Sequence, residues 1–404
     1  MFNDRILIDR EKRREEVKKI TANFDAVTIK ANIPGTDKNI FEASLLVRYF
    51  TKIFLSYPVN FIKMEETFDG YTSYFSTDNG EEIKKIAEEI EETHPLGRFI
   101  DIDVTKKGEE KSLSRKVLRK CFLCGKEAFV CGRNKTHTTY ELIKFIKDNA
   151  LSFFSNLIQD IIQESMLFEL NEENKFGLVT KTSNGSHTDL NYNIMKNAIE
   201  RIKVPLSKAF FIGLTCEKEK AIDKLIEIGL ECEEEMYKAT SFSNAYKGFI
   251  FMGGLILYAF AYTLKNNLDS SGIYNTIKEI AKAFPMPINT FGYKAYKSGF
   301  GGIRENAKNG FKIVEETAKY LLDNTTLDAL RFITKNLEDS VLLKRAGSIE
   351  KYEYYKNLII NSKGKEEEVT KECIKNNISI GGAADVLISS YMINKLKETF
   401  YIKD

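Results

Sequence analysis

The hydrophobic period of this chain changes near residue 138, and that change limits the possible folds more than any single motif does. Up to about residue 105, short stretches alternate as half-buried strands do. Val27-Thr28-Ile29-Lys30-Ala31-Asn32-Ile33 runs this way until Pro34-Gly35 interrupts it, and Val59-Asn60-Phe61-Ile62-Lys63-Met64 and Phe99-Ile100-Asp101-Ile102-Asp103-Val104 follow. Helical spacing lies between them, over 41–50 and after Asn79-Gly80, where Ile83, Ile86, Ala87 and Ile90 share one face. Beyond residue 138 the segments 140–170, 191–202, 217–238, 247–265, 273–284, 306–322, 326–337, 349–360 and 383–400 all read as helix. The pattern predicts an α/β or α+β domain over residues 1–150 and a mainly α-helical domain over 151–404. The boundary is expected in or just before the helix that starts near Tyr140.

A length of 404 residues suits two or more domains. Six prolines and 24 glycines leave little room for a flexible linker. Sixty Lys and Arg against 58 Asp and Glu give a net charge of +2, which excludes a global field for nucleic acid or anionic membranes. Any polyanion is therefore met locally. The N-terminus turns charged within four residues and lacks the apolar core of a secretory signal. The apolar run 249–264 falls short of the roughly 20 residues that span a bilayer. A buried helix is expected there, with Gly253 and Gly254 allowing close contact, in a chain expected in the cytoplasm with reduced thiols.

Two clusters carry chemistry. On the strand containing Asp101 and Asp103, the period of two puts both carboxylates on one face and Ile100, Ile102 and Val104 on the other. Neighbouring carboxylates repel unless a cation bridges them, and hard oxygen donors select Mg²⁺ or Mn²⁺. Such pairs serve phosphoryl and nucleotidyl transfer, and Arg98 just upstream suits phosphate oxygens. An exposed edge of an amphipathic strand is the alternative. In the second cluster, Cys121-x-x-Cys124, Cys131 and His137 offer the four donors of a closed zinc site, with Gly125 and Gly132 each following a cysteine. Reduced core thiols and a redox pair at Cys121 and Cys124 remain as alternatives.

The run His94-Pro95-Leu96-Gly97-Arg98 with Asp101-Ile102-Asp103-Val104, then Arg119-Lys120-Cys121-Phe122-Leu123-Cys124 and Cys131-Gly132-Arg133-Asn134-Lys135-Thr136-His137, closely resembles the apo-citrate lyase phosphoribosyl-dephospho-CoA transferase family. Asp9-Arg10-Glu11-x-Arg13 looks like that family's opening motif, so the resemblance covers about residues 1–150. It implies a nucleotidyltransferase-like domain that moves the phosphoribosyl-dephospho-CoA group onto a serine of the citrate lyase acyl carrier protein, the gamma subunit, and releases pyrophosphate. Asp101 and Asp103 then become metal ligands and Arg98 a phosphate contact.

The second half resembles the triphosphoribosyl-dephospho-CoA synthase family through Gly177-Leu178-Val179, Asn184-Gly185-Ser186-His187-Thr188-Asp189-Leu190, Lys247-Gly248-x-Ile250-Phe251, Gly302-Ile303-Arg304 and Ser379-Ile380-Gly381-Gly382-Ala383-Ala384-Asp385. The resemblance implies that ATP is joined to 3'-dephospho-CoA with loss of adenine. It places Lys247, Arg304, Asp339, Gly381, Gly382 and Asp385 among the substrate-binding residues, with His187 and Asp189 as acid/base groups or metal ligands. Gly381-Gly382 before a helix offers amides and a positive dipole end to phosphate. The family's Asp-Arg is here Thr180-Lys181, a histidine is Tyr246, and Glu305-Asn306 stand for Gly-Glu. Two readings stay open: both halves are enzymes, or the first half alone catalyses and the helical half is a binding or scaffold module. A zinc-ribbon nucleic-acid binder is disfavoured, because no basic stripe with interleaved aromatics surrounds the cysteines.

Overall fold

A computed structural model describes residues 2–115, 118–285, 291–297 and 299–403. The chain divides into two compact units: residues 1–156 with 398–402, and residues 157–397 with 403–404.

The first unit begins with α1 (Phe2–Thr21), β1 (Asp25–Ala31), α2 (Phe41–Phe54), β2 (Asn60–Thr67), β3 (Gly70–Thr77), α3 (Gly80–Thr93) and β4 (Ile100–Thr105). After β4 come the short α4 (Ala128–Arg133) and the long α5 (Thr139–Leu170), inside which the unit ends. The strands form one sheet in the order β2-β3-β1-β4, every neighbour antiparallel. That pairing makes the unit α+β and sets aside α/β, which requires parallel strands.

Each face of the sheet follows from alternation. Val27, Ile29, Phe75, Ile102 and Val104 are essentially inaccessible. On that side α2 packs, with Thr51 Oγ1 2.6 Å from Ser73 Oγ and Phe54 against Phe75. β4 is an edge strand, and α3 covers its edge: Ile102 donates its N–H to Glu91 Oε1 at 2.7 Å, and Lys84 Nζ donates to the Ile102 carbonyl at 3.5 Å. Those two side chains satisfy backbone groups that would otherwise invite another strand. The opening motif has a mechanical role as well. Asp9 accepts the Phe68 amide at 2.9 Å while Arg10 and Arg13 pair with Asp69, so α1 grips the β2–β3 turn.

The second unit takes the rest of α5 and continues through α6 (Tyr192–Thr215), α7 (Lys218–Thr240), α8 (Lys247–Lys265), α9 (Ser271–Ala281), α10 (Phe291–Lys297) and α11 (Gly302–Lys308). There follow α12 (Lys312–Tyr320), α13 (Thr326–Asn336), α14 (Ser340–Ala346), α15 (Ile349–Ile360), α16 (Glu366–Lys375) and α17 (Gly381–Thr399). The single helix expected over 306–322 is split into α11 and α12, because Gly310 and Phe311 both adopt positive φ. α6 runs thirteen residues past the expected stop at 202, carrying Pro205 within it.

α8 is the axis of this unit. By length and composition it passes for a membrane span, yet 78% of its apolar window is buried among the neighbouring helices. Leu206 of α6 sits over Gly253 and Gly254, 3.4 and 3.8 Å from where their side chains would begin. The backbones of α6 and α8 also meet closely: a side chain at Gly213 of α6 would collide with the Tyr258 carbonyl of α8.

Candidate active sites

In the first unit the register brings charge together. Lys30 of β1 lies directly opposite Asp101 of β4, and Thr28 opposite Asp103, so all four share the face away from α2. Arg119 Nη2 donates to Asp101 Oδ1 at 2.7 Å and to the buried Glu91 Oε1 at 2.5 Å. Asp101 keeps 45% of its side chain exposed, leaving a carboxylate open to a ligand. Burial and the like charge of Asp101 push the Asp103 carboxyl above its usual range, against the pull of Lys84, Arg119 and Arg13. Burial, aided by the neighbouring Arg13, brings the Lys30 ammonium down to about 8 despite its ion pair with Asp69. The arrangement is an acidic pair ringed by cations, suited to a divalent ion and a polyphosphate.

Arg98 is placed elsewhere. Its guanidinium donates to the Lys120 carbonyl at the start of the cysteine loop, so the arginine that reaches the acidic strand is Arg119. His94, the first residue of the same motif, is structural: its Nδ1 accepts the Leu96 amide at 3.0 Å and its ring packs among Tyr49, Phe50 and Phe153. The loop brings one ligand atom each from Cys121, Cys124, Cys131 and His137 within 4.8 Å of one another.

In the second unit, Lys247, Gly248, Phe251, Gly302 and Arg304 line one cavity of about 590 Å³. Lys247 opens α8 and pairs with Glu233 at 2.6 Å; burial lowers its affinity for the proton, but Glu233 and Tyr237 raise it further. Arg304 lies 4.3 Å over the Phe251 ring, and its NH1 donates to the Pro285 carbonyl at 3.1 Å. Glu233 also lines the cavity and acts electrostatically on both cations. Gly248 leaves room for Asp385 of α17, whose carboxylate a side chain at 248 would strike. Burial and the like charges of Asp339 and Glu169 hold Asp385 well above the carboxylate range.

The remaining expected residues do not line this cavity. Asp339 is 2% exposed and caps two helices at once: its Oδ1 accepts the amides of Val341 and Leu342, and its Oδ2 accepts that of Ala383 at 3.0 Å. The first-turn amides after Gly381-Gly382, offered by the sequence to phosphate, therefore include one bound to Asp339. His187 is not among the residues lining the cavity. Arg345 lies 3.2 Å from its Nδ1, and burial together with that cation lowers its pKa to about 4; Asp189 stands 4.0 Å away. Thr180, where the family has an acid, accepts the amides of Thr182 and Ser183 and so closes the turn that a carboxylate would close.

Sequence reading assigned no role to Lys30, Lys84 or Glu91, and quoted Arg119 only as part of a motif. Strand register is the signal that finds Lys30; nothing local in the sequence points to the α3 pair.

The family model described as apo-citrate lyase phosphoribosyl-dephospho-CoA transferase matches residues 3–153, and that described as ATP:dephospho-CoA triphosphoribosyl transferase matches residues 155–404. The chain belongs to the second family and carries the first as its N-terminal part. Protein CitXG of Leuconostoc mesenteroides subsp. cremoris is 27% identical, over 97% of this chain and 96% of its own length. Protein CitXG of Haemophilus influenzae is 26% identical over 85% of this chain and 83% of itself. The 2-(5''-triphosphoribosyl)-3'-dephosphocoenzyme-A synthase of Haemophilus ducreyi is 25% identical, covering 66% of this chain and 96% of its own. Membership of this fused family makes the chain a bifunctional transferase that builds and attaches the prosthetic group of citrate lyase, and the scaffold-only reading of the helical half is not favoured.

Proposed function

We propose that the two reactions are divided between residues 1–150 and 151–404. In the helical part the ribose 2'-hydroxyl of 3'-dephospho-CoA attacks C1' of the ATP ribose; the C1'–O bond forms, the C1'–adenine bond breaks, and the hydroxyl proton leaves with adenine. The product, 2'-(5''-triphosphoribosyl)-3'-dephospho-CoA, is the substrate of the N-terminal part. There a serine hydroxyl of the citrate lyase acyl carrier protein attacks the phosphorus nearest the ribose; the serine O–P bond forms, the P–O bond to the outer two phosphates breaks, and the hydroxyl proton leaves with pyrophosphate.

The acidic face of β4, opposed by Lys30 and gripped by Arg119, carries the assignment of the second step. Two hard carboxylates on one strand face, one of them half-exposed, fit Mg²⁺ or Mn²⁺, which would be held by Asp101 and Asp103. When bound, such an ion neutralises phosphate charge and stabilises the leaving oxygen. Lys30 and Arg119 supply fixed positive charge beside it, and Glu91 holds Arg119 in place. Replacing Asp101 with Asn abolishes pyrophosphate release with an unchanged circular dichroism spectrum; full activity in that variant would refute the metal role.

For the first step, Lys247 and Arg304 on the walls of the 590 Å³ cavity are assigned to the triphosphate, and Phe251 with its neighbouring tyrosines to aromatic ligand surface. Gly248 lines the same space with Asp385 packed directly against it, and Asp339 holds the first turn of the helix that carries Asp385. His187 and Asp189 are assigned to loop positioning. Incubation of the purified chain with ATP, Mg²⁺ and 3'-dephospho-CoA releases adenine; none released, beside an active transferase supplied with triphosphoribosyl precursor, would overturn this part. A buried α8 and the family's substrates support action in the cytoplasm.

A further inference from the structure

Neither transfer reaction uses Cys121, Cys124, Cys131 or His137, and we propose that these four hold a structural zinc ion that fixes the loop bearing Arg119. The proposal stands beside the functional reading and does not depend on it.

Three observations carry it. The four ligand atoms converge within 4.8 Å, and Cys124 Sγ lies 3.3 Å from Cys131 Sγ. In a tetrahedral site with Zn–S near 2.3 Å and Zn–N near 2.0 Å, two sulfurs sit about 3.8 Å apart and a sulfur and a nitrogen about 3.5 Å, so the observed pair stands slightly closer than a shared metal would hold it. A bonded sulfur pair would stand at about 2.05 Å. Second, His137 Nε2 is buried without a well-formed hydrogen bond among the described residues, and the imidazole's side-chain neighbour is the Cys124 thiol, so a metal shared by the two would satisfy it. Third, between Thr105 and Thr139 the described residues contain one six-residue helix, α4, and two isolated bridges, Thr105 with Ser112 and Lys120 with Glu127. A segment this long with so little regular structure needs another anchor to hold one conformation. Three sulfurs and an imidazole are soft and borderline donors, which favour zinc over the hard ion suited to Asp101 and Asp103.

The backbone is already shaped around such an ion. Cys121 donates its N–H to the Lys126 carbonyl at 2.5 Å, Gly125 returns to the Cys121 carbonyl at 2.9 Å with φ +71°, and Thr136 closes on the Cys131 carbonyl at 3.0 Å. Ala128 donates to the Arg119 carbonyl at 2.8 Å, which ties the arginine's backbone to α4. The ion closes the knuckle, the knuckle holds Arg119, and Arg119 reaches Asp101 and Glu91. With all four positions filled by protein, no place is left for a substrate, so the zinc is structural.

Elemental analysis of the full chain, purified without chelator from zinc-supplemented cells, is expected to give about one zinc per chain. Growth with cobalt instead gives thiolate-to-cobalt charge transfer and the intense d–d bands of a tetrahedral site. Cys124→Ser loses the metal, Cys124→His retains it, and Cys232→Ser, a buried thiol of the second unit, leaves it in place. Should the serine variant fail to fold, release of zinc from the wild-type chain by a mercurial reports the same thiolates. Removing zinc opens trypsin cleavage at Lys126, Arg133 and Lys135. Zinc near zero, or a Cys124–Cys131 disulfide in the freshly isolated protein, overturns the site; unchanged cleavage after zinc removal overturns its anchoring role. Asp101→Asn keeps its zinc while losing pyrophosphate release, so failure of this proposal and failure of the transferase reading are told apart.

Discussion

Glu233 stands on the wall of the cavity proposed for the synthase step, beside the two cations assigned to triphosphate, 2.6 Å from Lys247 Nζ and within electrostatic reach of Arg304. A carboxylate there competes with an incoming polyanion for the same charges. Glu233→Gln is expected to lower the KM for ATP severalfold, the equivalent of about 1 kcal/mol for a half-exposed ion pair; steady-state adenine release measures it, and a higher KM would mean that Glu233 orients Lys247 productively. At the acidic strand the same logic runs in reverse. Arg119 is held by Glu91 at one carboxylate oxygen and by Asp101 at another, so Glu91→Gln loosens the arginine while leaving an acceptor for the Ile102 amide. Glu91 is buried and pairs with Arg115 as well, so pyrophosphate release falls at least tenfold and the thermal midpoint drops with it; lost stability with unchanged activity per folded molecule would reassign Glu91 to the fold alone.

Asp339 shows how an element can claim a residue that motif comparison gives to a ligand. Its two oxygens cap the start of α14 and bind an amide in the first turn of α17, both out of water. Asp339→Ala leaves three amides without acceptors, two of them buried, and costs about 3 kcal/mol, whereas Asp339→Asn keeps Oδ1 and costs roughly half that. Urea unfolding followed at 222 nm separates the two. β3 teaches a similar lesson about legibility. Gly70-Tyr71-Thr72-Ser73-Tyr74-Phe75-Ser76-Thr77 has no apolar alternation because every residue in it is buried, on both faces, between β2 and β1. A strand covered on both sides loses the contrast by which sequence periodicity is read. β4, whose burial alternates residue by residue, was legible, and so were β1, by the polar residues alternating with its apolar ones, and the apolar α8. The split between α11 and α12 was not, since it turns on positive φ at Phe311 as well as at Gly310.

For the molecule as a whole, a net charge of +2 leaves no long-range attraction for triphosphates or a carrier protein, so the proposed reading relies on local cations, Lys247 and Arg304 at the cavity and Lys30 and Arg119 at the acidic strand. Stability carries its own pH signature. The folded chain holds His187 at about 4, below the ordinary 6.5, so the unfolded chain takes up that proton first as pH falls. Stability is full above about 6.5, declines toward pH 4 and stops declining below it, by up to about 3 kcal/mol from this group. His94, lowered by burial, adds in the same direction. His187→Gln flattens part of that slope in thermal unfolding between pH 4 and 7; an unchanged slope would place His187 in solvent. The sequence by itself determined the two-part plan, the same-face aspartates, the cysteine spacing and the family, because these depend on period and order along the chain. Only the tertiary structure decided that the sheet is antiparallel, that Lys30 and Arg119 rather than Arg98 attend the aspartates, and that Asp339 is a cap. Those outcomes depend on which strands pair, in what register, and which buried amides lack a partner, and no local pattern encodes contacts between residues so far apart in the chain.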